Sequence, residues 1–330
     1  MANWPWPRAI NPHHEQVSAA SGSWVRGFEA FNPQAQYASD LGNFGLLAAL
    51  ACPFVSKAHL RTECDLVYVL YVFDDYTDAE PESVVREMAA VVMDALQHSF
   101  EPRPSEEILL GELARQFWAR AIPGINALSQ QRFVSAMSDY ADAVIAQAAD
   151  RAHFKPRTIE EYLCIPEVLE NEIVTEVFFH TTTLVIIDND LASFNKEQAS
   201  CDEDWNLIYV IMRNLDVSFD DAMKRAVDLH TEAEAKFIAA SHDIPSFGSD
   251  ELDAKVQLFV TGLATWPRGN DCWNFESERY HGKKGKEYRK TRMVPLLPKI
   301  PELIRRGSRQ RDVIIPVVDE LQRTMSIEAN

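Results

Sequence analysis

The amino-acid sequence predicts an all-α protein in which one helical bundle, covering residues 1–330 as a single domain, holds a functional site in its core. Three observations support this prediction. Apolar residues recur three and four positions apart over long windows, which is the pattern of amphipathic helices. Strand-like alternation is scarce, and no change of composition or internal repeat marks a domain boundary. Helical bundles commonly build their sites from side chains on facing helices.

The helical windows follow one another with turn-forming residues between them. The clearest windows are residues 44–55, 60–76, 112–122, 132–152 and 171–198. Helix breakers lie at Pro102 and Pro104, at Pro123 with Gly124, at Pro156, at Pro166 and over residues 245–248. Windows and breakers together predict about ten or more helices.

Acidic residues outnumber basic ones in this chain. It has 32 Lys and Arg against 50 Asp and Glu, which gives a formal net charge of −18. Such a charge repels nucleic acids and anionic membranes, so we expect neither as a partner. An anionic substrate would have to be bound by metal ions or by a local basic cluster.

The sequence predicts no membrane span and no disulfide framework. The longest apolar run, residues 44–55, is too short to cross a bilayer and contains Pro53. The first residues lack the apolar stretch of a signal peptide. The five cysteines are odd in number and far apart, which fits neither disulfide pairs nor a zinc site. We therefore expect a soluble cytoplasmic protein with reduced cysteines.

An acidic cluster follows the apolar part of the window 60–76. Asp74 and Asp78 are four positions apart and project from one face of a helix, with Asp75 beside them. Carboxylates this close repel one another unless a cation lies between them, and Mg²⁺ prefers oxygen ligands and binds substrate phosphates as well. Acids at a helix C-terminus also oppose the helix dipole, which favours a bound cation. The alternative is a solvated helix end, because an acidic chain contains such a pattern by chance.

A second motif lies in the window 171–198. Asn189, Ser193 and Glu197 are spaced four apart, so an amide oxygen, a hydroxyl and a carboxylate lie along one helix face as ligands for a further Mg²⁺. The alternative is a polar face turned to water. Residues 184–187, directly before the motif, are apolar on every face, which favours a cavity wall with a polar rim.

The two motifs and a third segment establish a family resemblance. DDYTD at 74–78 and NDLASFNKE at 189–197 resemble, in that order, the two metal motifs of class I terpene cyclases. Arg279 and Tyr280 match the Arg-Tyr pair that this family carries near its C-terminus. Further similarity to basidiomycete-type sesquiterpene synthases runs through residues 10–14, 23–28, 44–50 and 59–66, so the resemblance covers nearly the whole chain.

The resemblance implies a class I terpenoid synthase bundle around a central cavity, with three Mg²⁺ ions and farnesyl diphosphate as the substrate that is cyclised. Asp74 would bind two ions, with Asp75 and Asp78 in supporting or hydrogen-bonding roles. The third ion would be held by Asn189, Ser193 and Glu197. A monomer or homodimer is expected.

The resemblance also implies which groups contact the diphosphate. Lys196, Arg279 and Tyr280 would donate hydrogen bonds to it. Each has an ordinary alternative, since Lys196 could be a solvated helix lysine and Arg279 could pair with Glu276 or Glu278. The reaction forms a carbocation, which needs a dry apolar pocket with aromatic faces.

Helical phase supplies candidates for the wall of that pocket. They precede the two metal motifs on the same helix faces or lie close to Arg279, and ordinary core packing is the alternative for each. The candidates are Val67, Leu70, Tyr71, Thr182, Val185, Ile186, Trp273 and Phe275.

The chain departs from the family before the second motif. The family places a diphosphate-sensing Arg after a segment resembling Glu-Tyr-x-x-x-Arg, whereas residues 160–169 read EEYLCIPEVL. The Arg is missing, and the interval around residues 165–166 is shorter than the family pattern by about 20 residues, a helix of roughly 30 Å.

Three functions follow as hypotheses. The first is a Mg²⁺-dependent sesquiterpene synthase. The second is a non-catalytic or impaired homologue, which the missing sensor segment favours. The third is a chain-elongating prenyltransferase, which should carry a second aspartate-rich motif where this chain has NDLASFNKE.

Overall fold

The computed structural model describes residues 1, 4–78, 80–153, 157–163, 172–200 and 203–299. These residues form α-helices and no strand, which confirms the all-α prediction. The helices are α1 (His14–Arg26), α2 (Pro33–Gly42), α3 (Phe44–Ala51), α4 (Lys57–Thr77), α5 (Glu82–Gln97), α6 (Leu109–Ala121), α7 (Ala127–His153), α8 (Ile159–Tyr162), α9 (Glu172–Ser200), α10 (Leu207–Leu215), α11 (Phe219–His242), α12 (Asp250–Glu276) and α13 (Gly285–Thr291).

The described residues fall into two compact groups. The α4 group comprises the described residues of 13–40 and 55–155, and the α9 group comprises the described residues of 1–12, 41–54 and 156–308. A single domain over residues 1–330 stays a prediction. None of the helices in the described ranges is long and apolar enough to cross a membrane. Cys52, Cys64 and Cys272 are free thiols, as expected, whereas Cys164 and Cys201 lie outside the described residues.

In the α4 group, α4 packs against α1, α5 and α6, and α5 packs against α7. Helix α4 begins after Ser56, whose hydroxyl accepts a hydrogen bond from the His59 amide in a usual N-cap arrangement. Its buried face carries Val72 and Phe73, and the Tyr76 hydroxyl donates to the Ala30 carbonyl at 2.7 Å. Packing and this hydrogen bond fix the last turn of α4, where the acidic motif lies.

In the α9 group, α9 packs against α11 and α12, and α12 also packs against α3. The side chain of Asn270 donates to the Val185 carbonyl at 3.3 Å, which joins α12 to α9. Where α12 meets α3, a Cβ at Gly269 would lie 2.7 Å from the Ala51 nitrogen, so only glycine fits without a backbone shift. This close packing of α12 sets where the segment after it, with Arg279 and Tyr280, begins.

Candidate active site

The acidic motif lies at the C-terminal end of α4. Asp74 and Asp78 are exposed and Asp75 is half-buried, while Tyr76 and Thr77 between them are buried in the α4 group. The Asp78 amide donates to the Asp74 carbonyl at 3.0 Å, so the helical turn is complete and the two carboxylates leave it on one face. The structure therefore shows the four-residue spacing of Asp74 and Asp78 on one helix face that the sequence predicts.

Arg151 of α7 lies against the same helix end. Its Nη2 atom donates to the Thr77 carbonyl at 2.9 Å and to the Glu80 carbonyl at 3.5 Å. A cation at these terminal carbonyls compensates the negative end of the helix dipole. The protein itself thus supplies part of the positive charge that the acidic motif requires. No local sequence pattern marks this role, because 74 positions separate Arg151 from Thr77.

Tyr140 of α7 is influenced by the same carboxylates. Burial raises the pKa of its hydroxyl, and the negative charges of Asp74 and Asp78 raise it further. The hydroxyl therefore stays neutral beside the motif. It can act there as a hydrogen-bond donor and not as an anion.

The second motif lies on α9. Ser193 is buried, and Asn189 and Glu197 are half-buried. Burial raises the pKa of the Glu197 carboxyl, against hydrogen bonds from Ser193 and Asn206 that lower it. Such surroundings disfavour the charged carboxylate, and a cation beside it would favour it again. The oxygen donors of these three side chains fit a hard cation such as Mg²⁺.

Asn206 holds two of these ligands in place. It is fully buried, and its Nδ2 atom lies 2.9 Å from Glu197 Oε2, 3.3 Å from Ser193 Oγ and 2.9 Å from the Asp190 carbonyl. Its Oδ1 atom accepts from the Ile208 amide at 2.9 Å and so caps α10. One amide side chain therefore fixes the start of α10 and the orientation of the ligands. No local sequence pattern marks Asn206 for this role, because it lies outside the motif on α9.

Replacing Asn206 with alanine is expected to lower the free energy of unfolding by about 3 kcal/mol, because a helix cap is lost and buried partners become unsatisfied. Denaturant unfolding measures this. Asn206→Asp keeps the cap oxygen but places a carboxylate against Glu197, so it should also destabilise. Lys224→Ala, at an exposed position of α11, is the control. Equal stability of Asn206→Ala and Lys224→Ala would show that the network contributes little.

Asp190 fastens α9 to its neighbours and lies off the ligand face. Its Oδ2 atom accepts from the Tyr162 hydroxyl at 2.7 Å and from the Leu207 amide at 2.9 Å. Burial raises the pKa of this carboxyl to about 7, against those hydrogen bonds. Tyr162 belongs to the lead-in segment EEYLC, so this part of the segment packs on the second motif.

Tyr280 connects the Arg-Tyr pair to the second motif. Its hydroxyl accepts from Asn189 Nδ2 at 3.0 Å and from Arg279 Nε at 3.2 Å. Because Asn189 donates through its nitrogen, its oxygen is left for a metal ion. The positive charges of Lys196, which is exposed, and of Arg279 lower the pKa of Glu197 and so act against its burial. The structure brings all these predicted residues of the α9 group together.

A network of ion pairs holds the end of α12 beside this pair. Asp271, which is buried, accepts from Arg289 of α13 at 2.9 Å and lies 3.4 Å from Arg268. Glu276 pairs with Arg8 at 2.8 Å and with Arg289 at 3.5 Å. These ion pairs hold the end of α12 and α13 in place, and with them the segment that connects the two helices.

The wall candidates divide into two classes. The candidates that keep accessible surface are Val67, Leu70 and Tyr71 of α4 and Thr182, Val185 and Ile186 of α9. Their neighbours Leu184 and Ile187 on α9 are buried. Trp273 belongs to the core, since it is buried and its Nε1 atom donates to the Gly42 carbonyl at 2.7 Å. Phe275 stacks on His281 at 5.0 Å between ring centroids. Accessible surface is what a cavity wall requires, and Trp273 lacks it.

Across the described ranges, no three His, Cys, Asp or Glu side chains are arranged to hold a metal ion by themselves. Mg²⁺ is often held by only one or two carboxylates and completes its coordination shell with water and phosphate oxygens. A Mg²⁺ site therefore does not need three such side chains, and the ligands of each motif fit this requirement. The shortened interval around residues 165–166 lies outside the described residues.

Comparison with known proteins shows similarity over most of the chain. The family model described as terpene synthase family 2, C-terminal metal binding, matches residues 65–165 and 164–236. Sesquiterpene synthase 14 of Postia placenta is 43% identical over 343 aligned positions, covering 97% of this chain and 96% of its own length. Delta(6)-protoilludene synthase 18 of the same fungus is 46% identical over 336 positions, covering 96% and 95%.

A Delta(6)-protoilludene synthase of Stereum hirsutum is 38% identical and covers 91% of each chain. Among solved structures, linalool/nerolidol synthase from Streptomyces clavuligerus is similar with a TM-score of 0.70 at 19% identity, covering 82% of this chain and 98% of that one. The T181N variant of cucumene synthase also has a TM-score of 0.70, at 20% identity. Both likenesses concern the fold.

Proposed function

Because the chain belongs to terpene synthase family 2 and is a terpene cyclase with the class I helical fold, we propose that it is a Mg²⁺-dependent sesquiterpene synthase. It ionises and cyclises farnesyl diphosphate and releases diphosphate. The observation that carries the proposal is the joining of Asn189 and Arg279 through the Tyr280 hydroxyl. Oxygen ligands for a metal ion thereby lie next to a guanidinium group that can bind the anionic substrate.

The donor set supports Mg²⁺ as the cofactor of this metal-binding family. Asn189, Ser193 and Glu197 would hold one of three expected ions, and Asp74 would bind the other two, with Asp75 and Asp78 in supporting or hydrogen-bonding roles. Mg²⁺, when bound, neutralises the charge that develops on the leaving diphosphate. The exposed carboxylates of Asp74 and Asp78 repel each other without a cation, so binding an ion relieves an unfavourable charge.

The remaining residues bind and orient the substrate. Arg279 would donate charge-assisted hydrogen bonds to the diphosphate, and Lys196 would add a second positive charge. Tyr280 would hold the guanidinium and the Asn189 amide in register. The half-exposed apolar residues of α9 would keep water away from the carbocation.

A second candidate function, a non-catalytic or impaired homologue, is supported by the lengths of the alignments. The 343 and 336 aligned positions both exceed the 330 residues of this chain, so the two relatives carry positions without a counterpart here. The family model matches in two segments that meet at residues 164 and 165, which is where the interval is short. The relatives described above carry the names of sesquiterpene and protoilludene synthases and so favour the first two functions over a chain-elongating prenyltransferase.

The experiment that tests the leading proposal is incubation of the purified chain with farnesyl diphosphate and Mg²⁺, followed by gas chromatography of the headspace. Release of a cyclic hydrocarbon that stops in EDTA supports it. Binding of diphosphate without any product supports the non-catalytic homologue. Cytoplasmic location, a monomer or homodimer, and the absence of nucleic-acid and membrane partners stay predictions.

Diphosphate is expected to raise the melting temperature by about 3 °C or more, and only when Mg²⁺ is present, because preferential binding to the folded state stabilises it. Differential scanning fluorimetry measures the shift. Arg279→Ala should reduce it, whereas Arg225→Ala, at a half-buried position of α11, should leave it unchanged. An equal shift in EDTA would contradict a metal-dependent site.

A further inference from the structure

Residues 281–292 carry a local positive charge in an acidic chain. They include six Lys or Arg and one acid, Glu287, whereas the whole chain has a formal net charge of −18. Arg289 is engaged in ion pairs with Asp271 and Glu276. The other five basic side chains are exposed and make no ion pair within the part of the chain that the structure describes. They are Lys283, Lys284, Lys286, Lys290 and Arg292.

The packing of α13 turns three of these charges outward together. Gly285 is buried, and a Cβ there would clash with the Phe275 carbonyl, so this side of α13 lies against α12 without room for a side chain. A short 3₁₀ turn leads directly into α13, and Lys283, Lys286 and Lys290 are three and four positions apart along the two. That spacing places the three side chains together on the side away from Gly285. A row of ammonium groups therefore faces solvent.

An exposed apolar segment follows α13 directly. The backbone of residues 293–297 is held by α9, because Asn195 donates to the Pro295 carbonyl at 2.9 Å and accepts from the Leu297 amide at 2.8 Å. Gln198 of α9 donates to the Leu297 carbonyl at 2.8 Å. These hydrogen bonds fix the backbone and leave the apolar side chains in solvent. The exposed fractions are 74% for Met293, 61% for Leu296 and 47% for Leu297.

The α13 surface, as we call the five exposed basic residues and the three exposed apolar ones, combines two kinds of side chain that an anionic lipid surface attracts. Anionic headgroups attract Lys and Arg, and apolar side chains insert at the boundary between headgroups and acyl chains. A nucleic acid would use the positive charge alone. A second copy of this acidic chain would use the apolar side chains alone. We propose that the α13 surface docks on membranes that contain anionic lipid.

The net charge of −18 does not oppose such docking. Charges farther than about 8 Å from the lipid surface are largely screened at physiological ionic strength, so the charge of the docked surface decides. The expectation of no membrane partner came from the charge of the whole chain, and the α13 surface is a local exception to it. Docking at the headgroups also requires no membrane-spanning helix. The inference goes beyond the proposed function and depends on neither metal nor farnesyl diphosphate.

The test is sedimentation of the purified full chain with lipid vesicles. One set consists of phosphatidylcholine alone, and the other contains about one third phosphatidylserine. The unmodified chain should sediment with the anionic vesicles and not with the neutral ones. Replacing Lys283, Lys286 and Lys290 together by Gln should weaken binding about a hundredfold, since each basic residue near such a surface contributes about fivefold. Met293→Ser combined with Leu296→Ser should weaken it about tenfold or more, because less apolar surface is buried on docking.

A matched lysine control separates local charge from net charge. Replacing Lys224, Lys236 and Lys255 together by Gln, at exposed positions of α11 and α12, lowers the net charge by the same amount and should leave binding unchanged. Replacing the three lysines of the α13 surface by Arg keeps their charge and should also leave binding unchanged. This second variant keeps the test valid if the Gln variant has a lower melting temperature.

Three results would each overturn the inference. The first is no binding of the unmodified chain to anionic vesicles, or an equal loss of binding in the two Gln variants. The second is a dimer in analytical ultracentrifugation without vesicles that the Met293 and Leu296 changes dissociate, since the surface would then be an interface between copies. The third is tighter binding to duplex RNA than to the vesicles, with no effect of the Met293 and Leu296 changes, since the partner would then be a nucleic acid.

Discussion

Asn189→Ala is expected to lower the rate of product formation from farnesyl diphosphate by about a hundredfold or more, while the protein stays folded. Loss of an outer partner of a metal ligand alone costs 10-fold to 100-fold in metal affinity or activity, so loss of a ligand should cost at least as much. The stability cost is small, because the side chain makes one described hydrogen bond, to Tyr280, worth about 1 kcal/mol.

Asp74→Asn should show the same loss of activity without destabilisation. Asp74 is exposed at the C-terminal end of α4, where removing a negative charge stabilises the helix by about 0.5 kcal/mol. Steady-state kinetics and melting temperature are compared for both variants. Asp142→Asn, at an exposed position of α7, is the control and should match the unmodified chain. If Asn189→Ala and Asp74→Asn unfold, the residues are structural and the site assignment is wrong.

Inserting the family's sensor segment between Ile165 and Pro166 is expected to raise the yield of cyclic hydrocarbon by about a hundredfold. A sensor Arg makes bidentate, charge-assisted hydrogen bonds to diphosphate, and the described arginines that precede or follow the gap are engaged elsewhere. Arg151 donates to α4 carbonyls, and Arg157 lies over the Trp205 ring at 5.4 Å. Arg213 lies over Tyr209 and 3.5 Å from Asp204.

The same insert with its Arg changed to Gln is the matched control. If it restores the wall but not the rate, the Arg accounts for the gain. If it restores both, exclusion of water from the cation does so, and the share of alcohol among the products should fall. Full activity and hydrocarbon-only products from the chain as it stands would contradict the prediction.

The candidate site could be predicted in part because its two halves are local patterns. Four-residue spacing places side chains on one face of a helix wherever that helix lies in the protein. The sequence alone therefore predicted the grouping of Asp74 with Asp78 and that of Asn189 with Ser193 and Glu197. The pairing of Arg279 with Tyr280 came from family resemblance. Its contact with Asn189, across 91 positions, came from the structure.

Helical phase was less informative about the wall. It grouped Val67 and Leu70 with Asp74, and both keep accessible surface. Proximity to Arg279 along the chain suggested Trp273, which the fold buries against α2 instead. The helix period predicts which residues share a face of a helix, but it does not predict which other residues pack against that face.

The sequence by itself determined the helical class, the two oxygen-rich motifs and their order, because each depends on the helix period and on residue chemistry. Only the tertiary structure decided that Asn206 fixes Ser193 and Glu197 and that Arg151 caps the end of α4. These features depend on packing between helices distant along the chain, and neither local spacing nor composition records which helices will be neighbours.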